Sequence, residues 1–79
     1  MSAAIDTEIV RYMRPLFGEF AVTAFEQQKA HVGLGAQPTR GDYIRLAEAI
    51  RSMCAQVAGD GVASKIYAGL LTIVQGGSS

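Results

Sequence analysis

Cysteine occurs once in this 79-residue chain, at Cys54, so neither a disulfide within the chain nor a cysteine-rich metal cluster is available. Charge of one sign is also missing, because seven Lys and Arg balance seven Asp and Glu. Nucleic-acid affinity rests largely on several Lys and Arg contacts to phosphate. Here Arg11, Arg14, Arg40, Arg45 and Arg51 are interspersed with Glu8, Glu19, Asp42 and Glu48. The pattern argues against a nucleic-acid partner and against an anionic membrane surface. The longest apolar stretch, Ile66 to Val74, is interrupted by Gly69 and Thr72 and is too short to span a bilayer. Histidine, too, occurs once, as His31. A metal site needs three or four converging ligands, and a catalytic imidazole needs an orienting carboxylate or a nucleophile. Neither pattern surrounds His31, so no catalytic, metal or cofactor residue is expected and the chain does not read as an enzyme. Strands are excluded as well: strict alternation never persists, and β-branched residues cluster only at Ile73-Val74.

What is present is apolar surface in helical register. Hydrophobic residues make up 49% of the chain, enough to fold a single domain. A body of this size buries only about 60% of the surface that its unfolded chain exposes. Between Pro38 and Gly59 the apolar side chains Tyr43, Leu46, Ala47, Ile50, Met53, Cys54 and Val57 fall on one helical face, behind a Thr39 N-cap. Thr39-Arg40-Gly41-Asp42 resembles a capping box with Asp as its acid. Gly59 is expected to stop this helix in a left-handed conformation, and Asp60 to cap the next. That last helix carries Val62, Ala63, Ile66, Tyr67, Leu70, Leu71 and Val74.

Upstream, Ile5, Ile9, Tyr12 and Met13 mark a helix from about Ile5 to Arg14, with Asp6 and Glu8 in its first turn. Pro15 is expected to end or kink it, and a further helix restarts at or after Pro15 with Phe17, Phe20, Ala21, Ala24 and Phe25. One kinked helix and two separate helices both fit, and Gly18 favours the break. The expected fold is an all-α small bundle of three to four helices over residues 1–75, with a flexible tail or linker at 76–79. No signal-peptide pattern opens the chain, so a cytoplasmic setting is expected.

Two glycine segments resemble sites without carrying their chemistry. Gly33-Leu34-Gly35 lacks the strand, lysine and hydroxyl of a phosphate loop and reads as a helix-to-helix link. Gly59-Asp60-Gly61 lacks the Asp-Ser-Leu of a phosphopantetheine carrier. Cys54, on an apolar face, reads as a small buried hydrophobe. Phe17, Phe20 and Phe25 read as core. Tyr12, Tyr43 and Tyr67 can bury their rings and keep their hydroxyls wet, which suits either the core edge or an interface. Val10, Val22, Ile44 and Ile73 fall beside the main apolar face of their helices. Joined into one patch, they would mark a contact surface. The candidate interface is therefore Val10, Tyr12, Val22, Ile44, Tyr67 and Ile73.

Arg14-Pro15-Leu16-Phe17-Gly18-Glu19-Phe20-Ala21, followed by a glycine-rich loop and the capped Asp42–Ile50 helix with its Leu46-Ala47 pair, resembles a family of small helical accessory domains. Those domains are appended to bacterial serine/threonine kinases and to other signalling proteins. The resemblance implies a non-catalytic accessory role and carries no catalytic residues. The expected function is protein–protein interaction or oligomerisation, the partner being a second copy in a homodimer or a larger host protein. A helix-turn-helix DNA-binding regulator, with its turn at Gly59-Asp60-Gly61, and a carrier or accessory subunit of an enzyme are the alternatives.

Overall fold

The computed structural model of the chain describes residues 2–35 and 38–76, with side chains within 5–35 and 38–75. Four helices follow one another: α1 (Ser2–Phe17), α2 (Phe20–Val32), α3 (Arg40–Ala58) and α4 (Asp60–Gly76). No strand occurs among the described residues. Ala36 and Gln37 of the expected loop, and Gly77 to Ser79 of the expected tail, lie outside them.

The break between the first two helices comes at Gly18, not at Pro15. Pro15 is helical, because its fixed φ suits an α-helix and its position is exposed. The missing N–H costs a single bond near the helix end, where the Arg11 carbonyl can be hydrated. Gly18 then takes φ +60°, a left-handed conformation that a side chain disfavours, and its N–H donates to the Arg14 carbonyl at 2.6 Å. Because α1 starts at Ser2, Asp6 and Glu8 lie beyond its first turn. Asp6 instead faces the neighbouring helices.

α3 begins as its sequence reads. The Asp42 N–H donates to Thr39 Oγ1 at 3.1 Å, and the Thr39 N–H donates to Asp42 Oδ2 at 2.9 Å, so both halves of the capping box form. The far end differs from expectation. Gly59 has φ +92° and ψ +167°, which is not the left-handed helical conformation. Its N–H donates to the Ala55 carbonyl while its own carbonyl accepts from the Ala63 N–H. One residue thus closes α3 and opens α4, and Asp60 falls inside the first turn of α4, where its charge favours the helix dipole.

The links at Gly18 and Gly59 each reverse the chain. Each helix packs on the next, and α4 returns to α1, giving a four-membered ring 30 × 24 × 20 Å across. Its centre holds Ile9 and Met13 from α1, Phe25 from α2, Leu46, Ile50 and Cys54 from α3, and Leu70 and Val74 from α4. Three residues read on apolar faces lie outside it, Val62 at the start of α4 among them. Val57 is 69% exposed, past the last packed turn of α3, and Phe20 is 59% exposed at the start of α2. Phe17 is half-buried against the core edge.

Candidate interaction surface

Two polar side chains of α1, Asp6 and Tyr12, fix how the helices sit. Asp6 on α1 accepts from the Tyr43 hydroxyl of α3 at 2.7 Å and pairs with Lys29 of α2 at 3.1 Å, so one carboxylate ties three helices together. Tyr43 is consequently buried, ring and all, and is not an interface residue. On the other side, Tyr12 of α1 lies across α4, its hydroxyl donating to the Lys65 carbonyl at 3.3 Å. The ring occupies the space over Gly69: a Cβ there would fall 2.6 Å from Tyr12 Cε2 and closer still to Cζ and the hydroxyl. A side chain at position 69 would displace the Tyr12 ring from α4.

Between α1 and α4 the ring of Tyr12 helps to line a groove of about 450 Å³. Pro15, Leu16, Ile66 and Ile73 supply the rest of its apolar wall, and Glu8 and Arg11 stand at its rim. Leu16 leads from this groove towards the end of the bundle at which both tight turns lie. Phe20, Val57 and Val62 belong to that same end, on the helical turns that flank Gly18 and Gly59. Of the six large hydrophobic residues that stand exposed among the described residues, five (Tyr12, Leu16, Phe20, Val57 and Val62) therefore belong to the α1–α4 groove or to the turn end.

The six residues singled out from sequence are placed unevenly. Tyr12 and Ile73 share the α1–α4 groove. Val10 and Val22 share a second cleft, between α1 and α2, of about 350 Å³. Ile44 and Tyr67 are half-buried against the core, and the Tyr67 ring is covered by the Arg51 guanidinium at 5.5 Å. The four flanking aliphatics do not join into one patch. Leu16, Phe20, Val57 and Val62 were not legible as surface residues, because helical periodicity gives a side chain's direction and not where the packing partner ends.

The polar chemistry is sparse. Burial pushes the Cys54 thiol above its ordinary value, which keeps it protonated and unreactive. His31 stands exposed near the end of α2, beside a cleft formed with Gln27, Gln28, Ser52 and Met53. No three His, Cys, Asp or Glu side chains converge among the described residues, and no described helix is long and apolar enough to cross a membrane. Comparison with protein-family models, with curated proteins and with solved structures finds no match for this chain.

Proposed function

We propose that the chain is a non-catalytic protein-interaction module that works in the cytoplasm. The observation that carries this reading is the apolar α1–α4 groove lined by Tyr12 and Leu16, with exposed Phe20, Val57 and Val62 on the helical turns that flank Gly18 and Gly59. Single exposed apolar residues are ordinary on a monomer, whereas a gathered set favours a contact surface. Phe20 weighs most here, because aromatic side chains are enriched among residues that dominate binding energy. The resemblance to accessory domains of bacterial signalling proteins fits the same role.

A photocrosslinking phenylalanine derivative at position 20, expressed in cells of the source organism, tests the reading. Discrete crosslinked species are expected from position 20 and not from the exposed Glu48 position on α3. Equal crosslinking from both positions, or none from either, would remove it.

A further inference from the structure

We propose that the α1–α4 groove is covered by α1 of a second copy of this chain, about a two-fold axis that sets Glu8 of each copy against Arg11 of the other. The inference rests on the interaction-module reading and names its partner. On α1 the groove-lining residues are Glu8, Arg11, Tyr12, Pro15 and Leu16, a continuous stripe at helical spacing. Glu8 and Arg11 are exposed and one turn apart, yet form no ion pair with each other or with any described residue. One acid and one base on the rim of one apolar stripe make a self-complementary surface, which is what a two-fold contact requires.

The register follows from the fold. Tyr12 lies level with Gly69, and α1 and α4 run in opposite directions, so Glu8 lies level with Ile73. An antiparallel pairing of the two α1 helices that brings Glu8 to the other copy's Arg11 carries each Tyr12 to the level of the other copy's Ile73. Charge and apolar matches thus select the same alignment. Net charge is zero, so two copies approach without mutual repulsion. A standard interface takes about 800 Å² from each partner, about a sixth of the 4744 Å² surface here.

The full chain and the variants Glu8→Arg, Arg11→Glu and the double swap are compared by analytical ultracentrifugation over a hundredfold range of concentration, with circular dichroism confirming that each folds. Wild type is expected to dimerise, each single reversal to weaken the dimer at least about tenfold, and the double swap to restore it. A monomeric wild type at every concentration overturns the proposal. A dimer indifferent to the single reversals, or one that the double swap fails to restore, overturns it equally. Crosslinking from position 20 to some other protein, together with a monomeric purified chain, would reject the second copy and leave the interaction-module reading standing.

Discussion

Replacing a glycine in the middle of an exposed helix by alanine ordinarily stabilises a protein by about 1 kcal/mol, because glycine loses more backbone freedom on folding. Gly69 in α4 should behave in the opposite way. The added Cβ takes the place of the Tyr12 ring, and the ring, 36% exposed already, has a free path into solvent. Its bond to the Lys65 carbonyl, long at 3.3 Å and exposed, is lost at a cost of about 0.5 kcal/mol. An aromatic side chain buries on the order of 150–250 Å² in full. With the stem of Tyr12 still covered, about 80 Å² returns to water, which costs about 2 kcal/mol. Gly69→Ala is therefore expected to destabilise the chain by about 1.5 kcal/mol. In a Tyr12→Ala background the clash is absent, and the same change should stabilise by about 1 kcal/mol. Urea unfolding of the four proteins at one low protein concentration, followed by circular dichroism, completes the cycle. Equal effects of Gly69→Ala in both backgrounds would refute the placement of Tyr12 over α4.

The remaining predictions separate roles that the sequence alone blurs. Phe25→Ala should cost about 3–5 kcal/mol by emptying the core, whereas Phe20→Ala should cost under about 1 kcal/mol in the monomer, both read from urea midpoints. Asp6→Ala, which removes the junction to Tyr43 and Lys29, should cost about 2 kcal/mol, against under about 1 kcal/mol for Lys29→Met, since that ion pair is partly solvated. Thr39→Ala should lower stability by about 1 kcal/mol through loss of the cap. The Thr39 backbone N–H, and then Arg45, hold the Asp42 carboxyl below its ordinary 3.8. A carboxylate with a lowered folded value adds stability above its ordinary value and loses it as pH falls through the folded one. The stability gap between wild type and Asp42→Ala should accordingly narrow as pH drops below 3.8, measured by thermal unfolding across an acid series.

Where local chemistry decides the conformation, the sequence was readable. The Thr39–Asp42 capping box, the helical face of α3 up to Cys54, and the all-α bundle follow from residue types and spacing, and all three stand in the structure. Pro15 misled because a proline is judged by the bond it cannot make, and near an exposed helix end that bond is cheaply replaced by water. Gly18, which the sequence already favoured as a break, is the residue that reverses the chain, in a left-handed conformation. Val57 and Phe20 keep perfect helical register and still face solvent, since the bundle ends before them. Nothing local signals the partnership of Tyr12 with Gly69 or of Asp6 with Tyr43 and Lys29. Those pairs are set by how whole helices lie against one another, and they shape the candidate surface.

Amide NMR of the labelled chain across a dilution series tests most directly whether the α1–α4 groove is the contact between two copies of the chain. Concentration-dependent shifts are predicted at Glu8 to Leu16 and on α4 between Ile66 and Ile73. Spectra that do not change on dilution, or changes confined to the α2–α3 cleft around Gln28 and His31, would contradict it.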